Sequence, residues 1–310
     1  MTRELPWPEI EKLVQELAWR DYWQQVWLSK GDAIFTDLKN PQSPVENQEL
    51  PTAVNDAETG IRAIDEAINE LYKTGYMHNH MRMYVASICC NLACSHWLMP
   101  AHWMYYHLLD GDLASNSLSW QWVAGAFANK KYYANQENIN KFFYSTQRGT
   151  FLDVGYDEFE RLSPVKTLKN KAPFELRTNL PELPRPQLET SKTTLIYNYY
   201  NLDPYWYKGE DVQRILLLEP YFFEKYPVSN NCLDFVMALT QNIKDIKVYI
   251  GDFADLLEQV GEEAIVYKEH PTATHYRGKM EARYWLTEVE GYYPSFFKFW
   301  NKAKKELKVK

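Results

Sequence analysis

The chain has 310 residues, of which 45% are hydrophobic, 24% charged and 15% aromatic. That balance excludes a disordered chain and leaves room for two domains. The formal net charge is −7, so the chain as a whole lacks the basic footprint usual in nucleic-acid binders. Of four cysteines, Cys89, Cys90 and Cys94 share one apolar run, without CxxC or Cys/His metal spacing. The expectation is reduced core thiols of a cytoplasmic protein and no metal site. The opening MTRELPWPEI is polar, which predicts no signal peptide. The apolar run 83–109 is interrupted by Asn91, Ser95, His96 and His102, a poor membrane span.

In chain order, residues 6–29 predict a helix, with Pro8 in the first turn and Ile10, Leu13, Val14 and Leu17 at helical spacing. Residues 40–51 predict a loop. Thr59 to Tyr72 predict a second helix ended near Gly75. Further helices are expected over 78–94, 100–109 and 119–128. The proline-rich stretch 163–193 predicts a linker or an extended segment. Four short apolar runs then follow, at 193–200, 214–220, 246–252 and 264–270, and helical segments separate the last three. This alternation predicts an α/β unit with a parallel sheet. Two closing helices are expected, Tyr276 to Val289 and Ser295 to Leu307. The fold class is thus α plus α/β: an all-helical domain over 1–150, a linker over 151–192 and a small Rossmann-like α/β domain over 193–310. G-x-G-x-x-G after a strand, G-x-x-x-x-G-K-[ST] and H-E-x-x-H are all absent.

Eight of the eleven tryptophans lie before residue 150. Such clustering fits an aromatic core, or a stacking or electron-transfer role. The stretch HLLDGDLASNSLSWQWVAG (107–125) gathers Asp110, Asp112, Asn116, Trp120 and Trp122. Two readings stand. One aspartate caps a helix and the indoles are core, or the carboxylates face a ligand rich in N–H groups. Arg82 is a candidate counter-ion, and a flavin ring is such a ligand: it has an N–H edge and an N5 that an amide can bond in either redox state.

The motifs decide between them by resemblance. ELAWRDYW (16–23), ETGIRAID (58–65), GYMHNHMRMYVAS (75–87), DGDLASN (110–116) and WQW (120–122) occur in order. Together they resemble the flavin-binding domain of the DNA photolyase/cryptochrome family, whose patterns are close to E-L-x-W-R-(E/D)-F/Y, T-G-x-P-x-x-D, G-W-x-H-N-R-x-R-M-x-x-A-S, D-G-D-L-A-x-N and W-Q-W. The resemblance implies an FAD cofactor bound by Arg20, Arg82, Asp110, Asp112 and Asn116, with Arg82 paired to Asp110 and Asn116 beside N5. It implies that Glu16, Trp19, Asn79, Met83 and Trp122 line a pocket for a flipped cyclobutane pyrimidine dimer. Trp120 and Trp97 match the first two members of an electron-transfer chain. The implied activity is light-driven dimer splitting by reduced FAD, with Asn116, Trp120, Trp97 and Glu16 in the catalytic roles and damaged DNA as partner. The alternatives are a cryptochrome-like flavoprotein without repair and a non-catalytic domain.

The second half resembles the antenna α/β domain of the same family, in RILLLEP and IKVYIGD, with YPSFFKFWNKA resembling a following F-x-x-F-W segment. The domain order is then reversed, as in a circular permutation. The sequence departs from the family pattern in several places. It has no T-S-x-L-S phosphate-binding element, so a diphosphate grip is expected from residues 140–190 or from a partner chain. His80 and Ala134 stand where two DNA-contacting arginines are usual, the third chain tryptophan has no counterpart in 38–51, and the arginine that opens the antenna domain is missing.

Overall fold

A computed structural model describes residues 5–162, 164–171 and 174–309. Ser163, Ala172 and Pro173 of the expected linker lie outside the described residues. The chain divides into two compact units, one of residues 1–175 with 285–310 and one of residues 176–284.

The first unit is helical. Its elements are α1 (Trp7–Lys30), α2 (Thr52–Asn55), α3 (Arg62–Thr74), α4 (Asn79–Ser87), α5 (Leu98–His107), α6 (Leu113–Ala124), α7 (Gln136–Phe143) and α8 (Phe159–Leu162). The α3 face carrying Ile64, Ile68 and Leu71 is buried at helical spacing. Gly75 then ends α3 in the left-handed region, φ +71°. A π-helical turn, Ile88–Leu92, continues α4 and buries Cys89 and Cys90. All four cysteines are buried, and none forms a disulfide among the described residues. The helix expected from residue 119 begins six residues earlier, because the Asp112 side chain accepts from the Ser115 N–H and caps α6. The sequence reading also missed α7, which Asn135 caps in the same way.

Two expected boundaries change. Residues 151–175, read as the start of a linker, belong to the helical unit. Leu152, Phe159 and Leu168 are buried in its core; residues 151–162 hold no proline, and Pro164 does not keep Leu168 from packing. The closing helix, α12 (Phe296–Val309), also belongs to the helical unit, against α1. Phe296 stacks on Trp19 with ring centroids 3.6 Å apart, and the Tyr22 hydroxyl donates to the Tyr293 carbonyl.

The second unit holds β1 (Thr194–Tyr197), β2 (Gln213–Leu218), α9 (Pro220–Lys225), α10 (Asn230–Thr240), β3 (Ile246–Ile250), α11 (Phe253–Val260), β4 (Ile265–Lys268) and β5 (Lys279–Glu281). The five strands are parallel in the order β3-β2-β1-β4-β5. Every residue of β2 is buried, as a central strand of a parallel sheet requires. The helix expected over Tyr276 to Val289 does not form. Its first residues add β5 to the edge of β4, and Gly278 allows this. At φ +119° it passes so near β4 that a Cβ would lie 2.6 Å from the Ile265 carbonyl oxygen.

Candidate functional site: a polar wall in the helical unit

Three elements converge on the DGD turn. The Gly75 carbonyl accepts from the Leu109 N–H, which docks the α3–α4 turn beside Asp110. The Arg82 Nε donates to the Met77 carbonyl, and its Nη2 donates to both Asp110 oxygens at 2.9 and 3.0 Å. Asp110 is 62% exposed. A pair this open adds about 0–1 kcal/mol to folding, so stability alone is a weak reason for its geometry.

Asp112 is 6% exposed and more tightly held. One oxygen accepts from Ser115 N at 2.7 Å and the other from Gln24 Nε2 at 2.5 Å, with Arg20 Nε 4.0 Å away. The capping reading of Asp112 is therefore correct as far as it goes. A carboxylate has about four acceptor sites, so two hydrogen bonds leave it able to accept more. Asn116 donates from Nδ2 to the Ala101 carbonyl at 2.8 Å, and its Oδ1 accepts no hydrogen bond from the described residues. The Ser115 hydroxyl beside it is buried without a partner. His102 and His107 on α5 are pushed down to about 4 by burial. They are neutral at pH 7, so Arg20 and Arg82 carry the positive charge of the wall.

Sequence reading missed Gln24, although spacing gave a signal. Glu16, Arg20 and Gln24 recur at i, i+4 and i+8 along one ridge of α1, and the last of them reaches Asp112. The structure does not draw every expected residue into this cluster. Glu16 and Asn79 are exposed and Met83 is half-buried, and none of the three side chains makes a hydrogen bond or ion pair among the described residues. One face of the Trp19 indole is covered by Phe296. Trp122 is 37% exposed, 5.7 Å from the Tyr132 ring. Trp120 is buried, and Trp97 is fully buried with its indole N–H donating to Asp37 at 2.8 Å.

Residues 13–153 match the model of the FAD binding domain of DNA photolyase. Over these residues the chain is similar to the photolyase/cryptochrome family. The chain is 39% identical over 121 residues to a deoxyribodipyrimidine photo-lyase of a Synechococcus species, covering 38% of this chain and 25% of that protein. It is 35% identical over 116 residues to a cryptochrome DASH of Gloeobacter violaceus, covering 36% of this chain and 23% of the relative. A solved cryptochrome structure from Synechocystis aligns at a TM-score of 0.40 with 29% identity, over 51% of this chain and 34% of that one. The chain spans about a quarter of the length of the curated relatives it matches.

The cofactor of this photolyase-type domain is FAD. The residues present fit the ring end of a flavin. The buried Asp112 carboxylate with acceptor capacity to spare, the unbonded Asn116 carbonyl and the orphaned Ser115 hydroxyl together form a polar surface short of partners.

The α/β unit has a second feature of note. A shallow crevice lies at the C-terminal ends of β1 and β2, lined by Tyr199, Tyr200, Glu219, Phe222 and Tyr276. Thr272 and Tyr276, beyond β4, also line it, which brings its edge towards the β1/β4 point where the strand order reverses, the usual ligand position in open parallel sheets. Glu219 accepts from Tyr276 Oη and the Phe253 N–H and pairs with His275 at 2.9 Å, which raises the imidazole pKa.

Proposed function

We propose that the protein is a light-dependent flavoprotein of the photolyase type that splits cyclobutane pyrimidine dimers in DNA. The Arg82–Asp110 pair set beside Asp112 and Asn116 carries this reading. In it, Asp112 and Asp110 accept from the N–H edge of the ring, Arg20 balances the buried carboxylate, and Asn116 presents its carbonyl to N5, its amide fixed by Ala101. When bound, the light-excited reduced flavin supplies one electron to the dimer and takes it back after cleavage. Glu16 and Asn79 offer hydrogen bonds to an extruded base, and Trp122 and Met83 give it apolar walls. Trp120 and Trp97 are buried indoles suited to passing single electrons towards the wall.

One observation favours a second reading, photoreduction without repair. Phe296 already covers a face of Trp19, a residue assigned to the lesion. The chain also lacks a T-S-x-L-S element, so we further propose that the FAD diphosphate is gripped by residues 140–190 or by a partner chain. The α/β unit is proposed as a Rossmann-like antenna domain.

The test is illumination of the FAD-loaded protein with oligothymidine carrying dimers. Restored thymine absorbance supports repair. A protein that binds FAD and is photoreduced but leaves the dimers intact supports the second reading.

A further inference from the structure

The loop at residues 36–47, beyond α1, wraps Trp97. Trp97 is fully buried, and its indole N–H donates to Asp37 Oδ1 at 2.8 Å. The other oxygen of Asp37 accepts from the Gln42 N–H at 2.8 Å. Gln42 in turn holds the backbone around the indole. Its Oε1 accepts from the Trp97 N–H at 2.9 Å, and its Nε2 donates to the Ser95 carbonyl at 2.8 Å. His96 closes a third side. Its Nδ1 accepts from the Leu98 N–H, which leaves Nε2 to carry the ring proton towards Asp37 Oδ1, 3.4 Å away. Asp37 keeps 23% of its side chain in water, so one carboxylate joins a buried indole to solvent. A backbone carbonyl would satisfy a buried indole N–H without the desolvation that a carboxylate demands. Packing alone therefore does not account for an acid at this position.

Trp97 is one of the two buried indoles given an electron-transfer role in the proposed function, and the inference drawn from this contact rests on that reading. An indole that gives up an electron becomes a cation radical, and its N–H is then far more acidic than in the neutral ring. A cation at Trp97 would be a buried charge, which is costly unless it is paired or discharged. Asp37 can do both, because it faces the nitrogen that carries the acidic proton. Trp120 is also buried and has no carboxylate partner among the described residues. Among the described residues His96 is the only ring against Trp97, with centroids 5.6 Å apart. A hole that reaches Trp97 therefore meets a base and no further indole in contact.

We propose that Asp37 is the proton acceptor that traps the electron hole on Trp97. The oxidant is the light-excited oxidised flavin of the proposed site, acting through Trp120. Trp97 gives one electron to the Trp120 cation radical, which becomes neutral tryptophan again. The Trp97 Nε1 proton moves along the 2.8 Å hydrogen bond to Asp37 Oδ1. Trp97 ends as a neutral radical and Asp37 as a neutral carboxylic acid, and the electron stays with the flavin. Return of that electron then requires the proton to come back as well, which slows recombination.

The test is flash photolysis of the FAD-loaded full chain, because the cation and neutral radicals of tryptophan differ in visible absorption. In the wild type the cation signal should give way to that of the neutral radical, and more slowly in heavy water. Asp37→Asn keeps an oxygen for the indole but cannot take its proton. It should slow the conversion about a hundredfold, the scale of a positioned proton transfer. Asp37→Glu restores a carboxylate and should restore the neutral radical. A readout without flavin is the ultraviolet resonance Raman difference between the wild type and Trp97→Phe. It should show a strongly hydrogen-bonded indole N–H, weakened in Asp37→Asn. A weakly bonded indole in the wild type, or a conversion that heavy water does not slow, would overturn the proposal. So would a neutral radical formed at the wild-type rate in Asp37→Asn, or a radical signal that Trp97→Phe leaves unchanged. Each of these results would leave flavin binding and dimer splitting standing. A protein that takes up no flavin would instead overturn the proposed function, and this inference with it.

Discussion

Asp112 supports the fold and, in the proposed function, the flavin, and the two roles can be separated by substitution. Asp112→Ala removes the cap of α6, a loss of about 1 kcal/mol within a range of about 0.5–2. It also removes the carboxylate to which the buried Gln24 Nε2 donates at 2.5 Å, and losing such a hydrogen bond costs about 1–3 kcal/mol. The expected total is about 2–4 kcal/mol. Asp112→Asn keeps an oxygen for the Ser115 N–H. It loses the charge at the helix N-terminus, about 0.3–1 kcal/mol, and turns an NH₂ towards Gln24. It should cost less than the alanine variant. Urea unfolding followed by tryptophan fluorescence is the assay, because ten of the eleven tryptophans lie in the helical unit. A double-mutant cycle with Gln24→Ala should give a coupling of about 1 kcal/mol or more, as for residues sharing a hydrogen bond. An alanine variant that loses less than about 1 kcal/mol, or zero coupling to Gln24, would refute this account of how the DGD turn is held.

Three further expectations can be checked together. Asp110→Ala should change thermal stability by less than about 1 kcal/mol, since its carboxylate is 62% exposed, yet it should weaken FAD binding in a fluorescence titration. A stability loss without an affinity loss would assign the pair to the fold. Gly75→Ala should cost about 2–4 kcal/mol by denaturant melt, because a left-handed φ of +71° and overlap with the Leu109 side chain add together. The third concerns pH. His102 and His107 have folded-state values near 4, below the ordinary 6.5, so between pH 6.5 and 4 the unfolded chain binds the extra protons. Stability should therefore fall as pH drops through that window, by up to about 1.4 kcal/mol per pH unit for each histidine. His102→Gln should flatten the slope seen in urea melts, and an unchanged slope would mean that His102 is not held neutral.

The helical character of the first half and the parallel sheet of the second were legible because they rest on periodicity, which a single sequence displays. The closing segment was not. Ser295 to Leu307 reads as a helix from its pattern, but that Phe296 stacks on Trp19 depends on a tertiary pairing nearly 280 residues apart, which no local pattern encodes. Tyr276 to Val289 misled for the opposite reason. Its residues are compatible with helix, and the edge of β4 drew Lys279–Glu281 into the sheet instead. At the site, the Arg82–Asp110 pair was implied by the family resemblance, and the two side chains are paired in the structure. Gln24 was missed because a buried glutamine matters only through the partner it meets, and its spacing from Arg20 gained meaning once Asp112 was seen within reach.

The central claim is that the DGD wall holds a flavin by its ring. The most direct measurement is the visible absorption spectrum of the protein after incubation with FAD and removal of free ligand, run beside Asn116→Ala and Asp112→Asn. The account predicts a retained flavin band with the resolved fine structure of a bound ring, weakened by Asp112→Asn and altered under illumination by Asn116→Ala. A protein that retains no flavin, or one whose spectrum and affinity are the same in both variants, would contradict it.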